Sequence, residues 1–400
     1  MESIKELYRI GHGPSSSHTM GPALAANIVR VRFPNATLFE VILYNSLALT
    51  GYGHLTFQTI ENELKPSRVN FKTIIDQNVH PNKLIFNAFS NEELIGSLDA
   101  VSVGGGKVIL DGDEAIKKDI YKQKNFKEIK DYCIKKKIDL FEYLLECEGT
   151  GIASFLRTIW DQMKKTILKG LKETGFLPSE LQVNRKAKKL MMMNEEAESL
   201  EDKKVRLISA YSFACSEENA SGGIIVTAPT CGACGVLPAC LYYCNTQENV
   251  DDEKIVEALA VAGIIGNVIK HNASISGAEA GCQAEIGSAC AMAAAAISYI
   301  KGYDIDLIEY SAEVALEHSL GLTCDPVKGY VQIPCIERNA IYAMKALSAV
   351  AISKLTSRLS RVSLDTVIET MFETGKDLGY QYRETAEGGL AKYYKDKRAK

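Results

Sequence analysis

Residues 258 to 300 form the most apolar part of this 400-residue chain, yet Lys270, His271, Asn272, Glu279 and Glu285 interrupt them. Charged side chains at that density are expensive in a bilayer, so the stretch reads as a pair of buried helices rather than a membrane span. Between the two helices, Asn272-Ala-Ser-Ile-Ser-Gly-Ala-Glu-Ala-Gly-Cys282 breaks the pattern with polar and glycine residues. Buried polar groups need partners, so the break is either an inter-helix loop or a place where a ligand uses those groups. From Lys254 onward the chain is alanine-rich, and 254–270, 284–300, 307–320, 339–357 and 364–377 all have helical periodicity. Small side chains let such helices approach closely.

The N-terminal part reads differently. Residues 36–48 and 84–89 carry β-branched and aromatic runs bounded by turn residues, as strands do, with a helix over Thr56–Leu64 between them. Leu98–Val103, then Gly104-Gly105-Gly106, then Lys107–Leu110 and Asp111-Gly112-Asp113 predict a hairpin. The triple glycine lacks the helix and Lys-Ser/Thr pair of a phosphate-binding loop. From 114 to 210 the spacing is helical, and the charged stretch 183–206 is a connector or an exposed helix. The fold class expected is α+β, an N-terminal α/β domain followed by a mostly α-helical domain.

Lys and Arg total 46 against 50 for Asp and Glu, a net charge of −4. A nucleic-acid binder needs a basic excess, so that class is excluded; the nine lysines within 117–137 read as a solvated helical face. The start, MESIKELYRI, has no continuous apolar stretch of the signal-peptide kind. A soluble, cytoplasmic chain without membrane association is expected. Eleven cysteines, an odd number, argue against a disulfide framework in such a chain. Eight of them fall between 231 and 335, as buried hydrophobes or as metal ligands.

Cys231-Gly-Ala-Cys234 has the spacing of a zinc or thiol-redox motif, but no second matching pair accompanies it, and its glycines fit a tight turn equally well. Cys324-Asp-Pro and Pro-Cys335 set two cysteines on loops beside prolines, a setting frequent among iron–sulfur ligands. Near the N-terminus, Gly11-His-Gly-Pro-Ser-Ser-Ser-His-Thr-Met-Gly-Pro22 leads into an expected helix, Ala23–Arg30. Hydroxyls and free N–H groups ahead of a helix suit an N-cap or an anion site. Two of the chain's six histidines lie in this loop.

Taken together, Pro14-Ser-Ser-Ser-His-Thr-Met-Gly-Pro22, Ser46-Leu-Ala-Leu-Thr-Gly-Tyr-Gly-His54, His80-Pro-Asn82 and Ser102-Val-Gly-Gly-Gly106 resemble the β domain of bacterial iron–sulfur L-serine dehydratases. Thr227-Ala-Pro-Thr-Cys-Gly-Ala-Cys-Gly235, Asn272–Gly281 with Cys282, and Gly321-Leu-Thr-Cys324-Asp-Pro resemble the catalytic α domain. Seven motifs stand in the family's order, in the β-then-α arrangement of its single-chain type. The resemblance implies a β-like domain over 1–145, an α-like iron–sulfur domain over 146–400, and a homodimer. It also implies a [4Fe–4S] cluster on Cys282, Cys324 and Cys335, which are 42 and 11 residues apart. Three thiolates leave one iron open as a Lewis acid, sensitive to oxygen, and leave Cys231, Cys234, Cys240, Cys244 and Cys290 as packing thiols.

The reaction implied is dehydration and deamination of L-serine to pyruvate and ammonia, independent of pyridoxal phosphate. A general base must take the Cα proton, and histidine suits because it titrates near neutrality; His54 is the first candidate and His18 the second. Ser15, Ser16, Ser17 and Thr19 are expected on the substrate carboxylate, with His80, Asn82, Asn272 and Ser274 as further substrate contacts. Two departures stand out. The chain ends Asp396-Lys-Arg-Ala-Lys400, without the terminal cysteine that some relatives carry. The family's His-Gly-Thr-Asp is here His54-Leu-Thr-Phe57: the histidine survives and the Asp does not, which puts any role of that Asp in orienting the histidine in doubt. Threonine or cysteine as substrate, a redox sensor and a zinc-site protein are the competing readings.

Overall fold

The computed structural model describes residues 1–111, 119–193, 198–356 and 361–396. Gly112 and Asp113 of the expected turn, Lys117 and Lys118, residues 194–197 of the charged stretch, residue 357 and the last four residues lie outside that set. The N-terminal half begins with β1 (Ile10–His12) and α1 (Gly21–Arg32), followed by β2 (Leu38–Tyr44), α2 (Asn45–Thr50), α3 (Thr56–Leu64) and β3 (Arg68–Ile74). β4 (Lys83–Ser90), β5 (Glu93–Ser102) and β6 (Val108–Leu110) complete a five-stranded sheet of order β3-β2-β4-β5-β6. β2 and β3 are parallel, joined by a crossover through α2 and α3, whereas the remaining pairs are antiparallel.

Alternation along the strands explains how the sheet is covered. Phe39, Val41 and Leu43 of β2 and Leu84, Phe86 and Ala88 of β4 turn to one face, where Ala25, Ala26 and Val29 of α1 and Ile60 and Leu64 of α3 bury them. The hairpin between β5 and β6 is present, and Gly104, Gly105 and Gly106 all have positive φ (88°, 60° and 78°). The expected strand 36–48 stops earlier, because Asn45 adopts φ 45° and the chain turns into α2. Asparagine tolerates that region, and its side-chain amide holds the bend by donating to the Asp76 and Val79 carbonyls at 2.7 and 3.0 Å. β3, an edge strand with a mostly exposed pattern, had no sequence signal strong enough to mark it.

The rest is helical: α4 (Phe126–Lys136), α5 (Leu140–Glu148), α6 (Gly151–Gly170), α7 (Ala187–Met192) and α8 (Leu200–Ala220), then a short β7 (Ile224–Val226). After it come α9 (Val236–Gln247), α10 (Asp252–Asn272), α11 (Gly277–Ala280), α12 (Ser288–Ile300), α13 (Ile305–Glu317), α14 (Cys335–Thr356), α15 (Leu364–Asp377) and α16 (Gly389–Tyr393). The apolar stretch is indeed two buried helices, α10 and α12, with the polar break between them. α12 is the central helix, and its alanines 289, 291 and 293–296 are fully buried where α9, α10, α13 and α14 converge. No helix among the described residues is long and apolar enough to cross a membrane.

Two large apolar cores stand out among the described residues. One is built from residues 25–110; the other joins Met1, Ile4, Leu7 and Tyr8 to the helices from Phe126 through Met371. The first residues therefore pack in the helical core. Gly266 of α10 makes room for them, since a Cβ there would meet Leu7 Cδ2 at 2.7 Å. β1 pairs antiparallel with β7, Ile10 opposite Val226, so the chain passes from the helical part into the sheet part just ahead of the serine-rich loop.

Candidate active site

Where the two parts meet, one cavity is lined by Ser15 and His54 from the sheet side and by Cys282, Glu285, Cys324, Cys335, Arg338 and Glu384 from the helical side. The three cysteines come from three different elements. Cys282 follows Gly281, which has φ 73° and whose Cβ would meet the Leu322 carbonyl at 2.8 Å, so only glycine fits there. Cys324 lies on the loop after α13. Its N–H donates to the Tyr382 carbonyl and its own carbonyl accepts from the Glu384 N–H, both at 2.8 Å, so residues 382–384 run alongside it. Cys335 opens α14, just after Pro334.

The thiols are not equivalent. A hydrogen bond from Cys324 and the Arg338 guanidinium hold the Cys282 thiol down to about 6 against the pull of burial. The Cys324 thiol is pushed up by that same hydrogen bond and by burial, and Cys335 is raised by burial. Two carboxyls share the cavity. Burial and the neighbouring Cys282 raise Glu285 to about 8, and burial with the neighbouring Glu285 and Cys282 raises Glu384. Of these five acidic groups only Cys282 is held low, and its thiolate pairs with the Arg338 guanidinium. Among the described residues, Oε2 of Glu384 is buried without a hydrogen-bond partner of good geometry.

On the sheet side, Ser15 caps the helical turn Ser16–Met20 that runs into α1, and its hydroxyl accepts from the His18 N–H at 3.0 Å. The expected α1 therefore begins at Gly21, with the serine loop already wound as a turn ahead of it. Ser17 Oγ is 2.8 Å from His18 Nδ1. Two threonines cross-brace the histidines: Thr19 donates to the His54 carbonyl and Thr56 to the His18 carbonyl, each at 2.6 Å. The rings lie 4.6 Å apart between centroids. Nδ1 of His18 and Nε2 of His54 stand 3.6 and 3.7 Å from Oε1 of Glu384. Burial drives His54 down to about 3, and burial with the neighbouring His54 drives His18 down, so both rings are neutral at pH 7.

The structure thus brings His18, His54, Ser15, Ser17, Cys282, Cys324 and Cys335 together. It spends the Thr19 hydroxyl on bracing, and Ser16 is buried in the capping turn without lining the cavity. His80, Asn82 and Ser274 form a separate cluster. His80 Nδ1 accepts from the Asn82 N–H at 3.0 Å and Nε2 donates to Glu279 at 3.2 Å, while Ser274 donates to the other Glu279 oxygen. Burial raises the Glu279 carboxyl, but the bonds from His80 and Ser274 outweigh it and hold the group down. The cluster ties sheet part to helical part. Asn272 is not in the cavity; its amide donates to the Lys124 and Val268 carbonyls at 2.8 and 2.9 Å.

The Cys231–Cys234 segment is a tight turn held by Asn339, which accepts from the Gly235 N–H at 2.9 Å and donates to the Gly232 carbonyl at 2.7 Å. Its thiols face different ways, Cys231 toward Met20 Sδ and Cys234 toward the Cys215 carbonyl. Cys240 and Cys290 likewise donate to carbonyls of Ala343 and Tyr342 in α14. Sequence reasoning missed Glu285, Arg338 and Glu384. Only Glu285 had left a trace, as a charge inside an apolar stretch.

A serine dehydratase β-chain family model matches residues 3–70 and an α-chain model matches residues 111–391. The chain belongs to the serine dehydratase family. It is 37% identical to the L-serine dehydratase of Haemophilus influenzae, across 98% of this chain and 99% of that protein. It is 36% identical to L-serine dehydratase 1 of Escherichia coli and to the L-serine dehydratase of Helicobacter pylori, at the same two coverages.

Proposed function

We propose that this protein removes water from L-serine to give 2-aminoacrylate, which tautomerises and hydrolyses to pyruvate and ammonia, with a [4Fe–4S] cluster held by Cys282, Cys324 and Cys335. One observation carries the reading: three cysteines from separate elements and a neutral, buried His54 line the same cavity. The donor set suits a cluster. Three thiols from separate elements line one cavity, and cysteine thiolates are the usual ligands of iron–sulfur clusters. Bound there, the cluster supplies Lewis-acid assistance to the departing hydroxyl.

The chain's own groups do the rest. Burial holds the His54 ring far below the near-neutral range expected of a base, so His54, taking the Cα proton at Nε2 beside Glu384 and the cavity, acts as an imidazole kept neutral rather than one poised near pH 7. Glu384 offers its unpartnered Oε2 to the substrate's polar end, and Ser15, at the cavity wall, offers a hydroxyl to the carboxylate. Arg338 offsets the negative charge that collects around Cys282. Walls from both parts exclude water, which strengthens every charge interaction inside. Anaerobically purified protein should contain iron and sulfide, absorb near about 400 nm and form pyruvate and ammonia in equal amounts from L-serine. Iron-loaded protein that forms a keto acid from L-threonine but none from L-serine would reassign the substrate.

A further inference from the structure

Two hydroxyls one turn apart on α2 meet two different histidines. Ser46 Oγ lies 2.6 Å from the Glu384 carbonyl oxygen and 2.8 Å from His18 Nε2. Thr50 Oγ1 lies 2.8 Å from the Ser46 carbonyl oxygen and 2.8 Å from His54 Nδ1. A hydroxyl carries one proton, and a carbonyl oxygen can only accept it. Each hydroxyl therefore donates to its carbonyl and must accept from its imidazole. That places N–H on Nε2 of His18 and on Nδ1 of His54, opposite tautomers on neighbouring rings. The bare nitrogens are then His18 Nδ1 and His54 Nε2, the very atoms that face Glu384. The Ser17 hydroxyl, 2.8 Å from His18 Nδ1, fits the assignment because it can donate to a bare nitrogen.

We propose that Thr50 is a positioning residue for the elimination: its hydroxyl, committed to the Ser46 carbonyl, keeps the His54 proton on Nδ1 and leaves Nε2 bare toward the cavity. The inference rests on His54 being the base of the dehydratase reading and deepens it. A neutral imidazole can carry its proton on either nitrogen, and which one is set by the bond its other nitrogen makes. With the proton on Nε2, the ring could not accept a second one from the substrate at that atom. Ser46, Thr50, His18 and His54 are all essentially inaccessible to water, so no solvent molecule competes for these bonds. Residues four apart on a helix share a face, which lets one short helix serve both rings.

The test uses the full chain labelled with ¹⁵N-histidine. Two-bond proton–nitrogen correlation spectra distinguish a protonated from a bare ring nitrogen, and the signals of His54 are identified by their loss in His54→Gln. At pH 7 the expected spectrum has one His54 tautomer, protonated at Nδ1. In Thr50→Val the proton should redistribute onto Nε2, with turnover on L-serine falling about 10-fold and KM changing less, as the loss of one hydrogen bond that orients a base would give. Thr50→Ser should restore both the tautomer and the turnover. A wild-type His54 protonated at Nε2 would overturn the proposal, whatever the variants do. So would a Thr50→Val protein that keeps the single Nδ1–H tautomer at unchanged turnover. Because the tautomer is read without substrate, absence of pyruvate from the wild-type protein would sink the dehydratase reading separately.

Discussion

Gly53 lies directly against Gly329: a Cβ added to Gly53 would sit 2.3 Å from the Gly329 carbonyl oxygen. Gly53 immediately precedes His54, and Gly329 lies in the turn between Cys324 and Cys335. The segment that carries the proposed base therefore touches the segment that carries two of the proposed cluster ligands, backbone to backbone, with no room for a methyl. Gly53→Ala should push the two apart. A displacement of about 1 Å at a reacting group can cost about 10²-fold in rate, so turnover should fall by roughly that factor while the iron content holds. Full turnover in this variant would show that His54 does not work at the distance the structure sets.

The cysteines separate into two groups with opposite expectations. Replacing Cys282, Cys324 or Cys335 with Ser should remove iron, chromophore and activity together. Replacing Cys231 or Cys234, whose thiols are turned to Met20 and to the Cys215 carbonyl, should leave all three largely intact. Iron analysis beside the visible spectrum reads the outcome, and a Cys231→Ser protein without iron would redraw the ligand set.

Changing His54 to Gln should lower turnover by about 10²–10⁴, the usual worth of a positioned general base. KM for serine should move less than turnover, because the lost contact acts mainly in the transition state. α-Deuterated L-serine should show a larger primary isotope effect in the variant, with proton removal slowed. Near-normal turnover would hand the role to His18 or another group.

Burial, which holds His54 down to about 3 from an ordinary 6.5, has a consequence for pH dependence. An exposed histidine acting as base would lose about 90% of its neutral form by one pH unit below 6.5. His54 stays neutral through that range, so His54 should contribute no acidic limb near pH 6.5 to kcat/KM, and its ring resonances should not titrate between pH 8 and 5. A limb centred near 6.5 that vanishes in His54→Gln would contradict a dry, neutral His54.

Much of this was legible in the sequence. Apolar periodicity marked α10, α12 and α15 because buried helices repeat their apolar residues every three or four positions, and the triple glycine marked its hairpin because only glycine takes three positive φ values in a row without strain. α2 was hidden by Asn45, whose left-handed turn leaves a strand-like composition on helical residues. The site was half visible. Cysteines on proline-bounded loops and paired glycine-flanked histidines carry local signals. Glu384 and Arg338 do not; they reach the cavity through the path of a loop beside Cys324 and the register of α14, which only tertiary structure sets. Asn272 shows the converse. A polar residue in a helical break signals a need for partners, and here two backbone carbonyls meet it.

Pyruvate formation from L-serine by the anaerobically purified full chain, assayed beside Cys324→Ser, tests the central claim most directly. The result expected is pyruvate and ammonia released one for one by the wild-type protein, in proportion to its bound iron, and none from the variant. Equal rates from both proteins, or no product from iron-loaded wild type, would contradict it.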